Sequence, residues 1–230
     1  GCDQVIVMEP SQNNADTFMR IFNPDGSEAG ACGNATRCVA HLIGAPQSVI
    51  ETRFDHLKAT LNADGTVTVD MGAPALDWQD VPLARAMDTK ALDFTFGVPG
   101  HPSLSGPVAV SMGNPHVVFF VEDAEAYPLG QFGAEIECDP LFPERTNVEL
   151  ATVRPDGSIR LRVFERGAGI TQACGSGACA TLVAAARRGL SGRKADIELD
   201  GGVLTIEWTD QDRVLMTGPV AHAFTGTVAL

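Results

Sequence analysis

Residues 32–38 read Cys-Gly-Asn-Ala-Thr-Arg-Cys, and residues 174–179 read Cys-Gly-Ser-Gly-Ala-Cys. Each stretch leads into an apolar run with helical character, so its first cysteine is predicted to lie at a helix start. The positive end of a helix dipole stabilises a thiolate, and the backbone N–H groups there can bind a carboxylate. Two such helix starts facing each other would place two thiols on opposite sides of one small anion. That arrangement suits the transfer of a proton from one face of a carbon atom to the other.

Length and charge narrow the function classes. The chain has 230 residues and a formal net charge of −13, which suits one large domain or two of modest size and argues against nucleic acid as a partner. No apolar run approaches a membrane span, and no export signal is visible. We therefore expect a cytoplasmic protein that acts on a small molecule, with its six cysteines kept as thiols.

Most of the chain is predicted to form strands separated by turns. Alternating polarity around Asp64-Gly65 predicts a hairpin, and the same pattern recurs around Pro155-Asp156-Gly157. The clearest helix covers residues 176–188, and the helix after Cys32 is predicted to end near Gly44 or Pro46. Further strands are predicted within 107–121, 196–208 and 213–217, and residues 75–106 are expected to carry the crossover between two α/β halves.

Cys32 and Cys174 are the first candidates for chemistry, as a pair of acid–base thiols. Buried packing is the alternative for any single cysteine. A zinc site would add Cys38 and Cys179, but five and four intervening residues fit structural zinc motifs poorly. We expect Cys38 and Cys179 to pack within their helices, whereas Cys2 and Cys138 carry no functional signal.

Polar side chains in turn-like contexts complete the candidate set. Glu165-Arg166 at a strand end could bind the two charges of an amino-acid head group, and the alternative is a solvated ion pair. Asn114 and His116 offer hydrogen-bonding groups in a Gly-Asn-Pro-His turn, while Asn23 and Asn147 lie in other turn-like segments. None of these signals stands alone, but together they predict a polar, charge-paired pocket.

These residues and their neighbours resemble the diaminopimelate epimerase family over essentially the whole chain. The first cysteine motif is preceded by Arg-Ile-Phe-Asn-Pro-Asp-Gly-Ser-Glu, and the second by Phe-Glu-Arg-Gly-Ala-Gly. The matching segments are residues 20–28, 32–34, 113–116, 142–147, 164–169, 173–177, 201–208 and 216–219. The resemblance implies an α/β fold of two similar pseudo-symmetric lobes, each a strongly curved, mainly antiparallel sheet around a central helix, with the active site in the cleft between them. The lobes would be residues 1–100 and 101–230, the final strand of the first being supplied by the C-terminus.

The resemblance also implies a reaction and a role for each site residue. The reaction would be the epimerisation of LL-diaminopimelate to the meso form by a homodimer, without pyridoxal phosphate, other cofactors or metal. Cys32 and Cys174 would be the acid–base thiols, supported by His116 and Glu165. The implied substrate-binding residues are Gln4, Asn23, Gly33, Asn34, Asn114, Asn147, Glu165, Arg166, Gly175 and Ser176, of which the Gly33, Asn34, Gly175 and Ser176 N–H groups would hold the reacting carboxylate.

The chain departs from the family pattern in three places. A few dozen residues that the family carries ahead of Gly1, including a Gly-Asn-Asp-Phe segment, are expected to be absent. Ile170 stands where the family usually has glutamate, and Cys2 replaces an aromatic or apolar residue. Two alternative functions remain open, namely another cofactor-free amino-acid racemase on the same fold and a non-catalytic dithiol or zinc protein.

Overall fold

The structure is a computed structural model that describes residue 2, residues 4–30 and residues 32–228. By compactness the chain divides into two units, Gly1–Val69 with Thr217–Leu230 and Asp70–Met216. Within the described residues, no helix has both the length and the apolar character needed to cross a membrane.

The first unit contains a mixed sheet and one helix, α1. Its sheet has the order β1-β2-β4-β5-β6, in which only β2 and β4 run parallel, and the short β3 pairs with β2. The helix α1 packs against β4 and β5 and ends where Gly44 adopts a left-handed conformation, as predicted. The elements are β1 Val5–Glu9, β2 Thr17–Phe22, β3 Glu28–Ala29, α1 Gly33–Ile43, β4 Gln47–Glu51, β5 His56–Leu61 and β6 Val67–Asp70.

The second unit is larger and is organised around a buried helix. Its main sheet has the order β16-β15-β14-β12-β11-β10-β9, with parallel pairing at β10–β11 and β12–β14, and β13 pairs with β12. The elements are β7 Thr95–Phe96, β8 Leu104–Ser105, β9 Val108–Ser111, β10 Pro115–Phe120, α2 Leu129–Glu137, β11 Asn147–Val153, β12 Ile159–Glu165, β13 Gly169–Ile170, α3 Gly175–Arg188, β14 Lys194–Leu199, β15 Gly202–Trp208 and β16 Val214–Gly218, with a 3₁₀ turn at Ala124–Ala126.

The buried helix of this unit is α3, and its position explains where the second cysteine motif lies. Ten of its fourteen residues are buried, and it contacts strands along most of the sheet. The prediction of a helix over 176–188 is confirmed within one residue, and Gly189 ends it in a left-handed conformation. Both predicted hairpins are confirmed as well. The predicted α/β class is correct, because the chain combines mixed sheets with helices packed against them.

Residues 75–106 differ from the sequence-based expectation of a crossover. Val81, Leu92 and Leu104 are almost completely buried and pack against α2 and β10 residues in the core of the second unit. Their scattered apolar side chains bury enough surface to fix the segment, even though it contains little regular structure. This compact unit begins at Asp70, and the lobe boundary at residue 100 stays a prediction.

Two glycines of α2 provide a test of this packing. A Cβ on Gly133 would lie 2.4 Å from the Phe164 ring, whereas a Cβ on Gly130 would meet only Ile170 Cγ1 at 3.6 Å. Gly133→Ala therefore forces the buried Phe164 ring to move and should cost about 1–3 kcal/mol of unfolding free energy. Gly130→Ala should be neutral or stabilise by up to about 1 kcal/mol, because alanine is the better helix former.

Urea denaturation of both variants measures this difference. Equal stability of the two variants would mean that Phe164 does not pack against the Gly133 face of α2.

Candidate functional site

Cys174 lies at the N-cap of α3, the position predicted for it. Its sulfur accepts a hydrogen bond from the Gly177 backbone N–H at 3.3 Å and lies 3.6 Å from the Ser176 hydroxyl oxygen. The side chain is buried, with 4% of the residue exposed. The start of α3 therefore holds the sulfur in a fixed place, away from bulk solvent.

The electrostatics of Cys174 correct one expectation. Burial raises the pKa of the Cys174 thiol well above its ordinary value, and the carboxyl groups of Glu165 and Glu149 raise it further. Hydrogen bonds from Ser176 and Gly177 lower this pKa, but they do not outweigh the other effects. The prediction of a lowered thiol pKa is thus wrong for Cys174: the helix start does favour the thiolate, but desolvation penalises the charged form more strongly. These effects favour the thiol form of Cys174 over the thiolate.

Cys32 occupies the matching N-cap of α1. Its sulfur accepts from the Ala35 backbone N–H at 3.5 Å, and the Thr36 hydroxyl donates to its carbonyl oxygen at 2.9 Å. Gly33 and Asn34 follow in the first turn of the helix, as predicted. Unlike Cys174, Cys32 is only half-buried, so the two equivalent sequence motifs place their thiols in different solvent environments.

A row of polar side chains leads from Cys174 into the core of the second unit. Ser176 Oγ accepts from Asn114 Nδ2 at 3.3 Å, and Asn114 Oδ1 lies 3.1 Å from His116 Nε2. His116 Nδ1 lies 2.6 Å from Glu149 Oε1, and both of these side chains are completely buried. The predicted residues Asn114, His116, Cys174 and Ser176 are therefore joined by direct contacts.

Glu149 is the residue that the sequence analysis missed. It lies two residues after Asn147 on β11, between the buried Val148 and Leu150. A carboxylate inside an apolar strand is an unusual feature, and this was the signal that could have identified it. Burial raises the pKa of the Glu149 carboxyl and Glu165 adds to the rise, while His116 opposes it.

Asn147 joins two parts of the site through its amide. Its Nδ2 donates to the Pro115 carbonyl at 2.8 Å, its Oδ1 accepts from the Arg166 backbone N–H at 2.9 Å, and only 2% of the residue is exposed. In this structure Asn147 fixes the turn after β12 relative to β10. The expectation that it binds substrate stays a prediction.

The turn after β12 presents Glu165 and Arg166 differently. The half-buried Glu165 accepts a short hydrogen bond from the Thr171 hydroxyl, whereas the exposed Arg166 donates to the Glu144 carbonyl at 3.0 Å. The buried Glu137 accepts from the Gly167 backbone N–H at 3.0 Å and thereby holds the turn. This turn can thus present a carboxylate and a guanidinium to a ligand that carries both signs of charge.

In the first unit the structure brings Gln4 and Asn23 together. Gln4 Nε2 donates to Asn23 Oδ1 at 3.1 Å, and Asn23 Nδ2 donates to Ser27 Oγ at 3.1 Å. The Asn23 backbone N–H also donates to the Ser27 carbonyl at 2.8 Å, which closes a turn in the turn-like segment predicted around Asn23. Both predicted side chains are half-buried.

The remaining cysteines and the departures from the family pattern have simple environments. Cys179 is fully buried in α3, as predicted, but the packing predicted for Cys38 is wrong, because Cys38 lies on the exposed face of α1. Cys2 and Ile170 are exposed. In the part of the chain that the structure describes, no group of three or more histidine, cysteine or acidic residues could hold a metal ion.

Comparison with known proteins places this chain in a family. The family model described as diaminopimelate epimerase matches residues 1–76 and 108–223. Diaminopimelate epimerase of Rhodospirillum centenum is 56% identical over all of this chain and 79% of that protein. The same enzyme of Erythrobacter litoralis is 54% identical over 99% of this chain and 81% of its own length.

A solved structure supports the fold independently. The crystal structure of a hydroxyproline epimerase from Agrobacterium vitis, with bound trans-4-hydroxy-L-proline, superposes with a TM-score of 0.66. The match covers 94% of this chain and 71% of that one at 17% sequence identity. At this identity the likeness concerns the fold alone, whereas the sequence matches show that the chain belongs to the diaminopimelate epimerase family.

Proposed function

We propose that this chain epimerises LL-diaminopimelate to the meso form, with Cys32 and Cys174 as its two acid–base groups. The observation that carries the proposal is the pair of cysteines at the N-caps of α1 and α3. The names of the relatives indicate the substrate. In the reaction, the C–H bond at one α-carbon breaks as its proton passes to one sulfur. The other sulfur gives its proton to the opposite face of that carbon.

The environments of the two thiols support different roles before the reaction begins. Burial and two carboxyl groups favour the protonated form of Cys174, so Cys174 suits the role of proton donor. Cys32 then takes the α-proton of the LL isomer. After one turnover the protonation states are exchanged, and the reverse reaction runs by the same steps.

The helix starts also support stabilisation of the developing negative charge. A proton on an amino-acid α-carbon is very weakly acidic, so the enzyme must stabilise the carbanion-like transition state. The N–H groups of Gly33, Asn34, Gly175 and Ser176 would hold the α-carboxylate, where fixed dipoles are most effective. Removing one such donor typically costs a few kcal/mol of transition-state stabilisation.

The remaining predicted residues suit the amino-acid centre that is not inverted. Glu165 would accept from its ammonium group, and Arg166 would bind its carboxylate. Gln4, Asn23, Asn114 and Asn147 would supply neutral hydrogen bonds, and His116 would act near Cys174 through Asn114. These binding residues are more numerous than a substrate with one amino-acid centre would require. A substrate with two such centres, as diaminopimelate has, accounts for all of them.

A second candidate activity is racemisation of a simpler amino acid, such as proline. The hydroxyproline epimerase has the same fold and binds a ligand with a single amino-acid centre, so this alternative is tested as well. The Glu165-Arg166 turn favours diaminopimelate, since a substrate with one amino-acid centre leaves that pair without a ligand. Action in lysine biosynthesis, a cytoplasmic location and a homodimeric assembly follow from the resemblance and stay predictions.

Exchange of the α-hydrogen in heavy water tests the proposed reaction. With reductant present, the 230-residue chain should incorporate deuterium at the α-carbon of LL-diaminopimelate and form the meso isomer, both observable by NMR. Cys32→Ser and Cys174→Ser should each lower turnover at least about a hundredfold, because a hydroxyl is a far poorer acid–base group near neutral pH.

The chain offers matched controls for both substitutions. Cys38→Ser in α1 and Cys138→Ser at the end of α2 change exposed cysteines outside the proposed site, and both variants should keep wild-type turnover. Near wild-type turnover in either Cys32→Ser or Cys174→Ser would contradict the two-thiol mechanism. Exchange with L-proline but not with LL-diaminopimelate would select the alternative substrate.

The protonation of Cys174 can be measured without substrate. Because its pKa is raised, the rate of Cys174 alkylation by iodoacetamide should increase about tenfold per pH unit between about pH 7 and about pH 9. Mass spectrometry of the modified peptides follows the rate, with exposed Cys138 as the internal reference. A rate that reaches a plateau near neutral pH would show that Cys174 already rests as a thiolate.

A further inference from the structure

Hydrogen bonds connect the buried carboxyl of Glu149 to the sulfur of Cys174. Glu149 contacts His116 at 2.6 Å, and His116 contacts Asn114 at 3.1 Å. Asn114 in turn contacts Ser176 at 3.3 Å, and Ser176 contacts the Cys174 sulfur at 3.6 Å. Every member belongs to the second unit, and the contacts link β10, β11 and the start of α3. The row ends on a thiol to which we have assigned a role in proton transfer.

The surroundings of Glu149 favour retention of a proton by the Glu149–His116 pair. Glu149 Oε1 faces His116, whereas Oε2 is buried and has no hydrogen-bond partner among the described residues. The neighbouring titratable groups are His116 on β10, Glu165 on β12 and Cys174 at the start of α3. A buried carboxylate with one unsatisfied oxygen is costly, and a proton shared with His116 lowers that cost because it neutralises the charge.

The donors and acceptors then determine the direction of each hydrogen bond. Asn114 Oδ1 can only accept, so His116 Nε2 must carry a hydrogen. The shared proton therefore lies between His116 Nδ1 and Glu149 Oε1. Asn114 Nδ2 donates to Ser176 Oγ, which leaves the hydroxyl hydrogen of Ser176 available for the sulfur.

We propose that Glu149 is a positioning residue that acts through His116 and Asn114 to direct the Ser176 hydroxyl hydrogen onto the Cys174 sulfur. If the shared proton is lost, one hydrogen remains on the His116 ring, and the carboxylate of Glu149 draws it from Nε2 to Nδ1, so that Nε2 is left without a hydrogen. Asn114 would then have to turn its amide, and Ser176 would donate to Asn114 instead of to Cys174. The catalytic importance of this orientation rests on the proposed function, whereas the orientation itself does not.

The Glu149 carboxyl and the Cys174 sulfur both lie close to Gly177 at the start of α3. A Cβ on Gly177 would lie 3.1 Å from Glu149 Oε1 and 3.2 Å from Cys174 Sγ. The carboxyl and the sulfur therefore approach the same point beside α3. In this dry environment a donated hydrogen bond stabilises the thiolate more than it would in water, so the Ser176 hydroxyl makes it easier for Cys174 to release its proton.

Two uncharged substitutions of Glu149 isolate this effect. Glu149→Gln introduces an amide N–H that can donate to His116 Nδ1. Glu149→Leu has a similar size but no hydrogen-bonding group. Both remove the same charge, so a difference between them reports the hydrogen bond. Below the pKa of Cys174, its alkylation rate by iodoacetamide is proportional to the thiolate fraction. We expect this rate to be about tenfold lower in Glu149→Leu than in Glu149→Gln.

The same comparison in a Ser176→Ala background identifies the route. If Glu149 acts through Ser176, the difference between Glu149→Leu and Glu149→Gln disappears when the hydroxyl is absent. Equal rates in the two single variants, or an undiminished difference with Ser176→Ala, would overturn the proposal. These measurements use no substrate, so a failure of diaminopimelate turnover would count against the proposed function and not against the orientation.

A spectroscopic measurement on the wild-type chain keeps the test decisive if Glu149→Leu does not fold. Long-range ¹H–¹⁵N correlation spectra distinguish which ring nitrogens of a histidine carry hydrogen, and His116→Gln provides the assignment. Near neutral pH, His116 Nε2 should carry a hydrogen. A bare Nε2 would overturn the proposal irrespective of the behaviour of any variant.

Discussion

The close contact between α3 and the surrounding strands is the constraint on which the second unit depends. Most of the buried α3 residues are alanine or glycine, with single cysteine, threonine, leucine and valine residues among them. Small side chains allow the helix backbone to approach the sheet, and glycine at position 177 leaves room for both the Cys174 sulfur and the Glu149 carboxyl. The same packing brings the N-terminus of α3 to the loop before β10 and to β11, so the core and the site share one set of contacts.

This packing changes the chemistry that a helix start provides. At an exposed N-terminus the dipole would favour a thiolate, but α3 begins in the interior. Water is excluded there, and two carboxyl groups lie close enough to oppose a second negative charge. The thiol form of Cys174 is therefore a property of the fold, whereas the ability to stabilise a transient thiolate comes from donors that the same fold directs at the sulfur.

The sequence was sufficient to predict features that depend on short segments. Both cysteine helix starts, the end of α1 at Gly44 and the hairpins follow from residues a few positions apart. Features that depend on distant residues could not be predicted in this way. Glu149 meets His116 across 33 positions because β10 and β11 run parallel, and Asn147 holds Arg166 by a contact that spans 19 positions. The exposure of Cys38 likewise depends on which face of α1 meets the sheet.

The parallel pairings of β10 with β11 and of β12 with β14 have a consequence for the order of events during folding. Parallel neighbours need long connections, and α2 and α3 lie in these two connections. Contacts distant in sequence form slowly, because the loop-closure entropy is lost before the strands begin to stabilise each other. The contacts among Asn114, Glu149 and Ser176 can form only after these closures. A partly folded chain with a native-like α3 would therefore still lack the environment of its thiol, and the reactivity of Cys174 would report the completion of folding.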